Sequence, residues 1–96
     1  MSAGRTVVRG ASVLRFALHA KFRFDEVRQA WVVLAPERLL LPDEQAVAVL
    51  RLVDGVLDAD AIIDALSREY EAPPDVVGAD VLPMLQDLVD KRVLRE

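Results

Sequence analysis

The chain has 96 residues, 53% of them hydrophobic, a formal net charge of −4 and no cysteine. A chain of this length builds one small core and buries only about 60–65% of its unfolded surface. The acidic balance argues against nucleic acid, whose affinity rests on Lys and Arg neutralising phosphates, and the lack of cysteine excludes disulfides, thiolate metal sites and a thiol nucleophile.

Residues 1–12, with Gly4, Gly10 and two serines, read as a flexible N-terminal tail, which leaves 13–96 as a single domain. Nothing in MSAGRTVVRGASV forms the continuous hydrophobic segment of a signal peptide, and no apolar run approaches the ~20 residues of a membrane span. A cytoplasmic protein without membrane or nucleic-acid partners is expected.

An alternation follows. Leu14, Phe16, Leu18, Ala20, Phe22 and Phe24 occupy even positions, while Arg15, His19, Lys21, Arg23 and Asp25 occupy odd ones. Period 2 marks half-buried strand, here either one long strand or two pieces broken near His19-Ala20. Its odd face is mostly basic, which suits solvent or an acidic partner. Residues 25–30 supply a turn without an Asn-Gly or Asp-Gly signal, so a loop longer than two residues is expected. Trp31-Val32-Val33-Leu34 is a second strand, and Trp31 reads as a sheet residue whose indole N–H finds a nearby acceptor. Pro36 removes an amide donor and ends the pairing there. Arg38-Leu39-Leu40-Leu41 resumes as a third strand, in which Leu40 faces opposite to Leu39 and Leu41.

Beyond Pro42 the period becomes 3.6. Asp43 is an N-cap candidate, Ala46, Val47, Val49, Leu50 and Val53 form an apolar stripe, and Gly55 supplies the stop. A second helix starts near the cap candidate Asp58, with Ile62, Ile63, Leu66 and Tyr70 facing inward. Ala72-Pro73-Pro74 breaks it, and a third helix runs from about Pro74 to Lys91, proline being well placed in a first turn. Pro83 lies inside that helix and is expected to kink it near Ala79–Pro83; the kink either is a curved packing feature or shapes a groove against the third strand. Asp80, Asp87 and Asp90 share one side of it, facing solvent or the basic groups of a partner. The fold class is therefore α+β and winged-helix-like: a three-stranded antiparallel meander followed by three α-helices, βββααα.

Catalytic chemistry is not legible. His19 is the single histidine and falls on the polar face, the four glycines form no phosphate loop, and Asp25/Glu26, Asp43/Glu44 and Asp58/Asp60 sit at turns and helix starts, where carboxylates cap amides. No enzyme, no metal site and no cofactor are expected. What remains is an open sheet edge. A three-stranded sheet leaves two edges whose free N–H and C=O groups can take another strand.

The run Arg28-x-x-Trp31-Val32-Val33-Leu34-Ala35-Pro36-Glu37-Arg38, followed by Asp54-Gly55 at the end of a helix, resembles the family of pyrroloquinoline quinone (PQQ) biosynthesis protein D. The likeness extends from about Val13 to Glu96, with Trp31–Arg38 its most specific element. The resemblance implies a RiPP recognition element, a small domain that binds the ribosomally made PQQ precursor peptide and presents it to a radical-SAM enzyme. It also implies where: the peptide adds to the third strand beside the last helix. On that basis Arg38, Leu39, Leu40 and Leu41 are expected to carry strand addition, and Val77, Val81, Met84 and Leu85 the side-chain pocket. Two other classes stay open, a winged-helix DNA-binding regulator, which the acidic third helix disfavours, and a structural or regulatory subunit that uses its edge to form a homodimer.

Overall fold

The computed structural model describes residues 6–96. Among them, strands β1 (Arg15–Phe16), β2 (Lys21–Asp25), β3 (Ala30–Ala35) and β4 (Arg38–Leu40) precede helices α1 (Glu44–Leu50), α2 (Ala59–Tyr70) and α3 (Pro74–Asp90), and a short strand β5 (Leu94–Arg95) follows. The expected meander and three helices are present as β2-β3-β4 and α1–α3. A second ribbon joins them, in which β1 pairs antiparallel with β5, Phe16 opposite Leu94. Nothing in the sequence pattern beyond Lys91 marks β5. It exists because Val93 and Leu94 are buried in the core, which carries this end of the chain back across β1.

The alternation of residues 14–24 divides into two pieces. The Ala20 N–H donates to the Ala17 carbonyl at 3.0 Å, turning the chain at Leu18-His19, and Leu18 is left exposed although it keeps the apolar phase. Phe16 and Phe22 meet across this turn, stacked at 5.8 Å. Alternation fixes which face a residue takes and says nothing about where the chain bends, so the break is set by this tertiary contact.

In the meander Phe24 pairs with Trp31 and Val33 with Leu40. Residues 26–29 form the first loop. The Asp25 carboxylate organises it, accepting from the Val27 and Arg28 N–H groups at 2.9 and 3.2 Å and pairing with the Arg28 guanidinium at 2.7 Å. The second connection is only Pro36-Glu37. Proline fixes φ near −65° at its first position and Glu37 takes φ +63° at the second, the arrangement of a type II turn.

Phe22, Val33 and Leu40 face the helices and pack with the main core. Trp31 lies on the same face, half-buried, stacked on Phe22 at 4.8 Å and edge-on to Phe24 at 5.8 Å, with the Arg51 guanidinium 5.8 Å from its ring. Its indole N–H has no acceptor among the described residues, contrary to expectation, and it is not sealed from water; the ring is held by aromatic contacts instead.

Asp43 caps α1 by accepting from the Ala46 N–H at 2.8 Å. The helix ends at Leu50 rather than near Gly55. Leu52 and Val53 donate to carbonyls only three residues back, and the tightened chain lets Gly55, at φ +79°, donate to the Leu14 carbonyl at 3.1 Å. Asp54 then accepts from the Val56 and Leu57 N–H groups, both at 2.9 Å. The stop residue thus serves a tertiary contact.

Helix α2 begins as expected at Asp58, which accepts from the Ala61 N–H at 2.8 Å. Two more amides of its first turn, which no helix can satisfy internally, donate to the N-terminal segment: Ala59 to the Ser12 carbonyl and Asp60 to the Gly10 carbonyl, at 2.9 and 2.8 Å. Of the expected tail, residues 1–5 lie outside the described residues. Residues 6–12 carry these contacts and a further one to α3, where the Gln86 amide accepts from the Val8 N–H and donates to the Thr6 carbonyl at 2.8 and 2.9 Å. Tyr70, expected inward, is 59% exposed, because α2 ends there and Glu71 at φ +53° turns the chain away. Helix α3 starts at Pro74 and passes through Pro83. Pro83 and Ala79 are both exposed, so the carbonyl that proline leaves without a donor faces water.

Candidate functional site: a strand edge and a groove

The edge of β4 follows from the turn before it. A two-residue hairpin loop is closed by a hydrogen-bonded pair, here Ala35 and Arg38. Pair types alternate along antiparallel strands, so Leu34 with Leu39 is a non-hydrogen-bonded pair and Val33 with Leu40 is again bonded. The backbone N–H and C=O of Leu39 therefore point away from β3. β4 pairs with no other strand among the described residues, so these groups are the open positions of the edge. Side chains follow the same alternation: Leu40 packs on the core, while Leu39 and Leu41 are 42% and 64% exposed.

The second feature is a groove of about 360 Å³ where α1 meets α3 and the end of α2. Val49, Leu66, Val77, Val81 and Met84 supply apolar lining, and Tyr70 and Val76 stand exposed beside it. Glu44 on α1 and Asp80 on α3 are its charged residues, and no Lys or Arg lines it.

The residues expected from sequence are thus only partly brought together. Val77, Val81 and Met84 share the groove. Leu85 does not line it: it is 0% exposed and wholly inside the core, since its position on α3 turns it toward the helix interior. Arg38 is exposed at the start of β4, and none of Arg38–Leu41 lines the groove. Helix α1 connects the two features, for only Pro42 and Asp43 separate Leu41 from Glu44. Sequence reasoning missed Glu44, Gln45, Ala48, Tyr70 and Val76, and had Asp80 only on a helix side that faces solvent or the basic groups of a partner. Gln45 and Ala48, three apart on α1, carried the available signal, a mild face beside the apolar stripe, but helical period alone does not say which helix a face meets.

Asp25 and Asp54 have perturbed acidity, and both lie outside this site. The Arg28 side chain, then the Arg28 and Val27 amides, hold the Asp25 carboxyl below its ordinary range, and the Leu57 and Val56 amides do the same for Asp54. Among the described residues no group of three or more His, Cys, Asp or Glu could hold a metal, and no helix is long and apolar enough to cross a membrane.

Comparison with known proteins places this architecture. The model of the family "Coenzyme PQQ synthesis protein D (PqqD)" matches residues 30–94, from β3 to β5. A PqqA binding protein of Rhodopseudomonas palustris is 56% identical over 81% of this chain and 76% of its own length. A bifunctional coenzyme PQQ synthesis protein C/D of Methylorubrum extorquens is 47% identical over 93% of this chain, which corresponds to 24% of that larger protein. The solution structure of the PqqD part of a Methylobacterium extorquens PqqCD, a functional and stand-alone RiPP recognition element, superposes with a TM-score of 0.80 at 46% identity, covering 96% of this chain and 98% of the other. With its sequence, its meander and its three helices matched together, the chain belongs to the PqqD family.

Proposed function

We propose that this protein binds the PQQ precursor peptide, PqqA, as an added strand on β4 and holds it for a radical-SAM enzyme, without itself catalysing a reaction. The observation that carries the reading is the open backbone of Leu39, beside exposed Leu39 and Leu41 side chains, with only Pro42 and Asp43 between Leu41 and the helix that walls the groove. A strand added there gains main-chain hydrogen bonds from the edge, while alternate side chains reach apolar surface. Arg38, Leu39, Leu40 and Leu41 form the edge in this reading. Val77, Val81 and Met84 take side chains, and Leu85 supports them from within the core. Met84 suits the task because its thioether adapts to different occupants. A peptide made on the ribosome and modified in place puts this work in the cytoplasm.

The test is an NMR titration of the labelled protein with PqqA. Shifts concentrated at residues 38–41 and 76–84 are expected, and a well-dispersed spectrum that stays unmoved would sink the reading. The outer edge of β2, which among the described residues pairs only with β3, favours one additional reading, a homodimer formed through β2. It leaves β4 free, so light scattering in the presence and absence of PqqA separates the two.

A further inference from the structure

We infer that the groove between α1 and α3 selects a peptide segment in which a Lys or Arg accompanies apolar residues, the cation resting between Glu44 and Asp80. The inference rests on the reading of the chain as a peptide binder and adds the chemistry of what is bound.

The groove's floor and its walls make different demands. Val49, Leu66, Val77, Val81 and Met84 offer only apolar surface, which rewards aliphatic side chains and discriminates little among them. The charges are one-sided. Glu44 comes from α1 and Asp80 from α3, on the two helices that face each other across the opening, and no basic residue lines it. Neither carboxylate has a hydrogen-bond or ion-pair partner among the described residues. Farther along α3, Asp87 pairs with Lys91 at 2.8 Å and Asp90 accepts from Gln86 at 3.0 Å, Asp43 caps α1, and Asp75 lies outside the groove. Two like charges lining one apolar cleft repel each other, and an anionic ligand would meet both. A Lys or Arg side chain fits the whole arrangement, since its methylene stem covers apolar floor while its head stays at the wet, acidic rim. The exposed Tyr70 ring beside the opening offers the head a π-face as well.

The prediction is made on affinity and on its salt dependence. Replacing both carboxylates by their neutral isosteres, Glu44→Gln with Asp80→Asn, should weaken PqqA roughly tenfold at low salt and flatten the fall of affinity with ionic strength. The charge-matched control Asp64→Asn with Asp87→Asn, outside the groove, should change neither. Short synthetic peptides of alternating leucine and lysine should move the NMR signals of residues 76–84, and leucine–glutamate peptides should not. If PqqA moves β4 but keeps its full affinity and salt slope for the Glu44→Gln/Asp80→Asn protein, the inference is overturned and the peptide-binding reading stands. If PqqA does not bind while the leucine–lysine peptide still moves the groove, the groove chemistry stands and the peptide reading falls. Equal binding of the two synthetic peptides overturns the inference outright.

Discussion

This small domain contains two short strands that look alike on paper and behave as opposites. β5 has two residues and β4 three. β5 is locked: it pairs with β1, Leu94 is fully buried beside Val93, and the Ala17 N–H donates to the Val93 carbonyl at 2.9 Å. β4 is open, held by β3 on one side and turned to solvent on the other, with large aliphatic side chains left in water. A strand is stable through what its faces bury far more than through its length. β5 buries its face in the helical core, whereas β4 buries only Leu40. The locked ribbon fastens the ends of the fold, and the exposed meander edge is thereby free to accept a partner without the domain having to open.

The strongest way to break this comparison is to unlock the closed strand. Leu94→Ala removes a fully buried side chain and should cost about 2–5 kcal/mol, a large share of the stability of a domain this small, read as a fall in the denaturant midpoint. A loss below about 1 kcal/mol would mean that β5 is an ornament and the fold stands on its helices alone. Peptide affinity of the fraction that remains folded should be unchanged, because β5 does not pair with β4 and none of its residues lines the groove.

The complementary change acts on the open strand and leaves stability almost alone. Leu39→Pro deletes the outward N–H, and edge positions with outward amides are where strands tolerate proline. Thermal stability should move by little, while PqqA binding weakens roughly tenfold or more through the lost main-chain bond and the displaced edge. Leu40→Pro is a poorer probe, because that amide belongs to the bonded pair with Val33. Isothermal titration of wild-type and Leu39→Pro protein decides it: equal affinities would move the peptide away from β4, to the groove alone or to the β2 edge.

The difference between the two strands also shows what the sequence could say. The meander was legible because its signals are local. Phe22 and Phe24 alternate with charge, Pro36 stops a β-rich run, and three leucines in succession cannot all face inward. The caps Asp43 and Asp58 were legible for the same reason, as each carboxylate reaches an amide three residues ahead. β5 was not legible, since two residues have no period and its partner lies far away in sequence. The shortened α1 escaped for a related cause: Gly55 reads as a helix stop, yet its amide answers Leu14. In the candidate site, Val77, Val81 and Met84 could be placed on one helix face, and whether that face meets β4 or α1 is a question of helix packing. The same limit hid Leu85, where helical spacing alone does not separate groove wall from core.

Gln86 tests how the locked region is fastened from outside. Its side-chain amide acts as a short piece of strand, accepting from Val8 and donating to the Thr6 carbonyl and to Asp90. Gln86→Ala removes these bonds at a half-buried position and should cost about 1 kcal/mol. The more telling readout is hydrogen exchange, in which the Val8 amide should lose protection while residues 38–41 keep theirs and PqqA affinity is untouched. Loss of peptide binding in this variant would show that the two regions are coupled through α3.

Acid supplies the gentlest test, and it acts on the meander's other end. The Asp25 carboxyl is held below its ordinary pKa, first by the Arg28 side chain and then by the Arg28 and Val27 amides, and that of Asp54 by the Leu57 and Val56 amides. A carboxylate whose folded pKa is depressed lends stability that is present above its unfolded pKa, near 3.9, and is lost as pH falls through the lower folded value. Both contributions are therefore intact at neutral pH and should fade only below about pH 4. At Asp25 the loss is confined to loop 26–29, the end of the sheet remote from the Pro36-Glu37 turn. In a pH series followed by NMR, the Val27 and Arg28 amides should shift together below that pH, before the Leu39 and Leu40 signals respond. Asp25→Asn removes the charge, keeps an acceptor for the amides, and should abolish that early shift with little change in stability at pH 7. If β4 instead moved in step with Asp25, the β2-β3 loop and the open edge would be one cooperative unit, and the edge could not be treated as a surface that accepts a strand without help from the rest of the sheet.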